Sequence, residues 1–497
     1  EDAGKGDVSI GFSASLFVFF LTNAVSWSIV TAVPALYSSF ENEFALNALE
    51  LSALRALLCI CQFGTAPIWG FLCGKYSRRT MLYWQCFLVA VVCSFMAFPS
   101  HYDWLLLVMA TIGFMNGGVF PITQSIVADS YHPTERGRAY GLLNVATFAG
   151  VSFGFVFPTN VPYSIDITDD ISIPGWRFVF YVLGAGMLIC GLLNFFVASD
   201  PARSDLTDET LTEQLRQIMA SRTWLLIVLQ GCFGMIPWDA ISFLILWFEY
   251  IGFSKSAAGL IMFGCAVGAA GGAIFGGWLG DKAARWSPNR GRIAMAQFSL
   301  LLSVPLSFLF LNLIPRKETS GVLYLPIPTP LRILVHHIDP PNPPHSPLSC
   351  HLPCSFVIFG FLMAFFCNWV GPGCNEVVIS EVVLPAHRTV AFSVDRLFEG
   401  TSSAMGSIFV GGVAQSFGYN YGHPIPISEL ADAEKEANME AIANAMTLCC
   451  IIFWSISFII YLLIPRFYPH DRDRVLSTPR PSAYSLGYSP ILVQDSI

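Results

Sequence analysis

The stretch FSVDRLFEG, residues Phe392 to Gly400, sets Asp395, Arg396 and Glu399 inside a segment that is otherwise apolar, with TVAF before it and GTSSAMGSIFVGGVA after it. On a helix, Arg396 reaches Glu399 at i+3, while Asp395 and Glu399 share a face at i+4. A charge at the centre of a bilayer costs about 3 kcal/mol even on the lenient insertion scale, so these side chains should face the protein interior or a wet cavity. Two readings stand. In one, a buried ion pair locks this helix against a neighbour. In the other, Glu399, with Asp239 opposite, takes part in substrate or proton binding, because a carboxylate held out of water can load and release a proton near neutrality.

Depth selects the remaining polar candidates, since residues well inside a helical span lie near the bilayer midplane. Asn23, Trp27, Asn116, Asp239, Asn368 and Glu399 reach that depth and are the candidates for a substrate or proton site. Asp239 sits in GMIPWDA, where Pro237 frees a backbone carbonyl. A second set lies at span ends: Lys75, Arg78, Arg79, Asp129, Arg136, Asp281, Arg292, Glu381 and Arg388, with Asp395 and Arg396 a little deeper. Asp129 and Glu381 fall at helix C-termini, where the macrodipole disfavours anions, so nearby arginines are expected to compensate. Such pairs would hold one side of the molecule shut and break as it opens.

The elements that must position these residues are membrane helices. The chain has 497 residues, 54% hydrophobic and 12% charged, with 42 Phe and a net charge of −8. Soluble domains average roughly a quarter charged residues, so the composition points to an integral membrane protein and away from nucleic-acid binding. Twelve apolar stretches are long enough to span: 10–36, 49–73, 80–98, 104–128, 138–158, 176–197, 223–248, 257–280, 293–314, 355–380, 389–412 and 441–464. The opening EDAGKG has no Met, as expected of a piece of a longer chain, and the first apolar run is too long for a signal peptide. Eighteen loop Lys and Arg fall on the side of the termini and six on the other, which predicts both termini in the cytoplasm.

The halves repeat. A shift of 252 lays FMNGGVFPITQSIVADSYHPTERGRAYG over FCNWVGPGCNEVVISEVVLPAHRTVAFS, pairing Asn116 with Asn368, Asp129 with Glu381 and Arg136 with Arg388. GFLCGK (70–75) matches GWLGDK (277–282) at a shift of 207. The order and spacing predict an all-α fold of two six-helix pseudo-repeat halves. The expected boundaries are 1–198 for the first bundle, 199–222 for a cytoplasmic linker, 223–465 for the second bundle and 466–497 for a cytoplasmic tail. Residues 315–353, with ten prolines, read as an insertion that fits no helix. Residues 203–222 read as an amphipathic helix on the membrane surface.

These residues resemble the major facilitator superfamily over nearly the whole chain. Gly70, Leu72, Lys75, Arg78 and Arg79 meet part of its loop signature, with Gly74 in place of the aspartate and Ser77 in place of a glycine. The second copy keeps Gly277, Leu279, Asp281 and Lys282, then Gly291 and Arg292 after an insertion. PITQSIVADSYHPTERGRAYG is similar to the superfamily's pattern at the end of the fourth span. FSVDRLFEG looks most like a poorly characterised plant and protist group, and spinster-like lipid transporters are a more distant resemblance. The resemblance implies two bundles rocking about a central site lined by the first, fourth, seventh and tenth spans. The antiporter signature is replaced by GVSFGFVFP (150–158), which departs from exchange against protons.

The expected function is secondary or facilitative transport of a small organic solute by alternating access, by a monomer in membrane lipid, with a proton as a candidate coupled partner. A spinster-like lipid or lysolipid transporter and a non-transporting receptor on the same fold are the alternatives. No phosphate-binding GxxxxGK[ST] loop is present, and the sequence calls for no cofactor or metal. No His or Ser constellation at membrane depth suggests an enzyme.

Overall fold

The computed structural model describes residues 3–44, 46, 48–162, 164–168, 171–200, 209–253, 255–314, 351–403, 405–419 and 431–477. The proline-rich stretch up to residue 350, and the tail beyond residue 477, lie outside the described residues. Among the described residues, ten helical segments are long and apolar enough to cross a membrane. Two further helices complete twelve crossings. The third, Arg78–Ser94, is 17 residues long. The eleventh, Arg388–Ser403 followed by Met405–Ser416, carries the charges that lower its hydropathy.

Local chemistry sets the helix starts. The Ser77 side chain accepts from Thr80 N at 3.2 Å, and Ser221 accepts from Trp224 N at 3.2 Å, each satisfying a donor left free at a helix N-terminus. The last helix runs unbroken from Asp432 to Ser477, 46 residues, well past the expected span of 441–464 and into the expected tail. Its polar ends suit the macrodipole, with Asp432 and Glu434 in the first turn and Arg474 in the last. Hydropathy marks the part in the membrane, whereas the helix continues beyond it.

Two spans are broken at matching places. The fourth consists of Tyr102–Asn116 and Val119–Ser130, interrupted at Gly117 and Gly118. The tenth consists of His351–Cys367, a π-helical turn at Gly371–Asn375 and Glu376–Val382. The two breaks begin just past Asn116 and just past Cys367, within one residue of the positions that the shift of 252 pairs. The seventh span is Arg222–Ala240, a 3₁₀ turn at Ile241–Phe243 and Leu244–Ile251, so Pro237 and Asp239 stand at its irregular point. A strand pair, β1 (Ser164–Thr168) and β2 (Ile171–Pro174), joins the fifth and sixth spans.

The first six spans meet the last six mainly through the fifth against the eighth and the second against the eleventh. The approach is close because the facing residues are small. At Gly277, a Cβ would collide with the Gly137 carbonyl, and at Gly141 it would meet the Ala273 carbonyl. The glycine run at 264–277 thus serves packing, as small residues do between membrane helices.

Candidate functional site

The charged stretch of the eleventh span meets the tenth, fourth and fifth spans in a buried cluster. Arg396 Nη1 lies 2.9 Å from Glu399 Oε2, the expected i+3 pair, and Nη2 lies 3.8 Å from Glu376 Oε1. Gln124 Nε2 donates to Glu376 Oε1 at 3.0 Å, and Asn144 Nδ2 lies 3.2 Å from Oε2. The Arg396 guanidinium sits 4.8 Å from the centre of the Phe120 ring, and Trp27 meets that ring edge-on at 6.1 Å. Glu376 is 2% exposed and Glu399 5%, whereas the Arg396 side chain keeps 20% exposure. Cation and carboxylates are therefore held in a low-dielectric region with one side still accessible, where charged groups act strongly on a ligand.

The shift of 252 pairs Gln124 with Glu376 and Asn144 with Arg396. Both amides of the first half meet the same charge of the second, since Gln124 and Asn144 each contact Glu376. Beside them lies a neutral buried network. Asn375 Nδ2 and the Tyr461 hydroxyl donate to Gln230 Oε1 at 2.8 and 2.9 Å, and Gln230 Nε2 donates to Ser457 Oγ at 2.7 Å. The π-helical turn immediately precedes Glu376, and such turns are frequent at functional sites.

The other depth-selected residues fall outside this cluster. Asn23 Nδ2 donates to Thr147 Oγ1 at 2.7 Å, and Asn116 Oδ1 accepts from Ser26 Oγ at 2.8 Å, so both tie the first span to its own half. Asn368 donates to Ala364 O at 2.8 Å in its own helix. Asp239 does not stand opposite Glu399. The Glu399 carboxylate packs against Gly231, and Gly406 lies beside Asp239. The eight residues from Gly231 to Asp239 correspond to about 12 Å along the helix. Arg55 donates to Val30 O at 3.3 Å.

The second set gathers at the end of the molecule where Ser15 meets Ser199 and Asp471 accepts from Thr223 N. Asp129 accepts from two arginines at 2.5 Å each, Arg78 from its own half and Arg388 from the other. Arg78 also binds Asp200 through Nε at 2.9 Å. Arg136 Nη1 reaches Ser380 Oγ at 3.3 Å, and Thr389 Oγ1 lies 2.8 Å from Ser125 Oγ, both across the halves. Asp281 accepts from Gly137 N at 3.0 Å and Arg138 N at 2.9 Å, and Arg292 Nη2 joins it at 2.7 Å. A carboxylate of the second half therefore caps the N-terminus of a helix in the first.

Three members of this set pair differently. Glu381 accepts from the Tyr468 hydroxyl, and Arg79 donates to Ala198 O at 3.1 Å. Lys75 is exposed and lies over the Phe71 ring at 5.0 Å. Asp395 is buried with Glu399, a turn deeper than these contacts. The helix expected on the membrane surface, Leu211–Met219, packs on protein instead, with Gln214 and Ile218 buried. Glu209, just before it, places Oε2 3.0 Å from His387 Nε2.

The Major Facilitator Superfamily model matches residues 15–338. An uncharacterised MFS-type transporter, YtbD of Bacillus subtilis, is 28% identical over 220 residues, 44% of this chain and 52% of that protein. Protein spinster homolog 1 of Xenopus tropicalis is 22% identical over 206 residues, 40% of this chain and 37% of that protein. The matches thus span about half or less of these curated relatives. Among solved structures, a bacterial homolog to the human lysosomal transporter spinster, in an inward-facing and unoccupied conformation, superposes with a TM-score of 0.61 at 17% identity. That match covers 93% of this chain and 98% of the other. The Escherichia coli fucose:proton symporter superposes with a TM-score of 0.59 at 17% identity, covering 92% and 98%. At these identities the likeness establishes the fold.

Proposed function

The chain belongs to the Major Facilitator Superfamily, and from that premise we propose that it is a secondary transporter that moves a small polar organic solute by alternating access. The supporting observation is the pair of layers just described. Glu376, Arg396 and Glu399 of the second half meet Gln124 and Asn144 of the first at a buried but accessible position. One end beyond it is held shut by Asp129–Arg388 and by Asp281 on the Gly137 and Arg138 amides. A solute that contacts both halves favours one arrangement of them over the other, which is the coupling alternating access needs.

The candidate assignments follow. Glu376, Arg396 and Glu399 bind solute, with Trp27 and Phe120 as an aromatic wall, and Asn23 and Asn116 hold the first span in place. Asp129, Arg136, Asp281, Arg292 and Arg388 form the gate. The gate faces the cytoplasm, following the excess of Lys and Arg at that end, and it is closed in this arrangement. The two units are the six-helix halves on either side of 199–222, the working unit is the monomer in lipid, and the chain stands beside the plant and protist group that FSVDRLFEG resembles. The charged cluster favours a polar solute over the lipid reading.

The test is solute flux into vesicles holding the purified protein, offered a pooled cell extract and read by mass spectrometry. Solute should enter with wild type and fail to enter with Glu376→Gln. Equal entry for both proteins would remove the site assignment. No entry of any solute with folded wild-type protein would remove the transport reading.

A further inference from the structure

Acidic groups outnumber basic ones at the central cluster. The groups that act on one another there are Glu376, Asp395, Arg396 and Glu399, three carboxylates against one guanidinium. Glu376 is answered by two amides and the far edge of Arg396, and Glu399 by the near edge. Asp395 is 2% exposed, and its Oδ1 has no hydrogen-bond partner among the described residues. The seventh and twelfth spans bring Gly231, Cys232 and Tyr461 to this face, none of them cationic. A buried carboxylate without a countercharge is strongly unfavourable.

We propose that the transported solute is an organic cation, a protonated amine whose ammonium seats between Asp395 and Glu399. An ammonium carries three donors and no acceptor, which suits a buried acidic pair, one turn apart on the helix, in which Asp395 Oδ1 has no hydrogen-bond partner among the described residues. The aromatic wall already holds a cation, since the Arg396 guanidinium lies on Phe120. An anionic solute meets the opposite situation, because the guanidinium is already shared between two carboxylates. Entry of the ammonium competes with Arg396 for Glu399, which frees Arg396 to swing on Glu376 and so links binding to the contact between the halves. This inference names the substrate class of the proposed transport site and rests on that reading.

The test is thermal unfolding of the purified full chain with matched probes: butylamine, butyrate and 1-butanol, then phenethylamine, phenylacetate and 2-phenylethanol, each with and without sodium chloride. A ligand that binds the folded state raises the unfolding temperature with concentration. The amines should stabilise, the matched acids and alcohols should not, and Asp395→Asn should weaken the amine effect by at least about tenfold. If Asp395→Asn does not fold, Glu399→Gln carries the same expectation. Stabilisation by the acids, equal stabilisation of wild type and both variants, no response to millimolar amine, or a response to sodium in place of amine would each overturn the proposal. Flux of an uncharged solute in the vesicle experiment would keep the transporter and discard its cationic substrate, so the two failures are distinguishable.

Discussion

The loop after the second span and the loop after the eighth carry copies of one motif and close the gate by different means. In the second copy, Asp281 caps the helix that begins at Arg136 and is itself held by Arg292. In the first copy, the matching residue is Gly74, which offers no carboxylate to the helix that begins at Arg388. Gln214 of the linker helix lies where that side chain would be, 3.6 Å from a Cβ built on Gly74, and Glu209 holds His387 at the same helix start. One half of the gate is internal to the repeat. The other is supplied by the segment that joins the halves, which extends the proposed gate to the linker.

The same asymmetry runs through the acids. Asp129 neutralises two buried arginines, whereas its counterpart Glu381 holds a tyrosine hydroxyl. Asp129→Ala leaves two guanidiniums without their shared anion and should cost about 3–5 kcal/mol of folded stability. Glu381→Gln should cost about 1 kcal/mol, the worth of a single hydrogen bond. Thermal unfolding of the two variants side by side checks this, and equal losses would break the comparison.

The next effect concerns the gate equilibrium. Asp281→Ala should favour the open gate by about 2 kcal/mol through loss of charge-assisted bonds, read as faster labelling of a Ser125→Cys thiol. Gly74→Asp should do the reverse, adding an anion at a helix N-terminus for about 0.5–1 kcal/mol, with labelling slowed several-fold. A Cβ at residue 74 stands at ordinary contact distance from Gln214, whose flexible side chain must turn aside to admit the carboxylate. Faster labelling in Gly74→Asp would mean that the linker helix had been displaced. The smallest change is expected from Glu209→Gln, under about 1 kcal/mol and vanishing in high salt, because Glu209 is about a third exposed.

Much of this arrangement was legible in the sequence. Hydropathy located the twelve crossings, and the shift of 252 paired Asn116 with Asn368, where both spans break. Helical spacing anticipated the Arg396–Glu399 pair, and the dipole argument anticipated arginines around Asp129. Depth does not select Glu376, which lies four residues from the expected span end at 380 and six from the observed end. The helix runs to Val382 behind a π-helical turn. The signal was present, since the same shift sets Gln124 opposite Glu376. Depth alone does not place Asp239 opposite Glu399, because distance along a span does not fix which neighbour a side chain meets. The role of the linker at Gly74 needed the tertiary packing, since nothing in the local sequence joins residue 214 to residue 74.

For solute to pass, the closed end must open. Ser125 and Thr389 face each other across the halves at 2.8 Å, so the double variant Ser125→Cys with Thr389→Cys can tie that end shut, with the bridge confirmed by peptide mapping. Vesicle flux is expected in the reduced protein, with loss on oxidation and recovery with reductant. Undiminished flux through fully bridged protein would contradict alternating access at this gate.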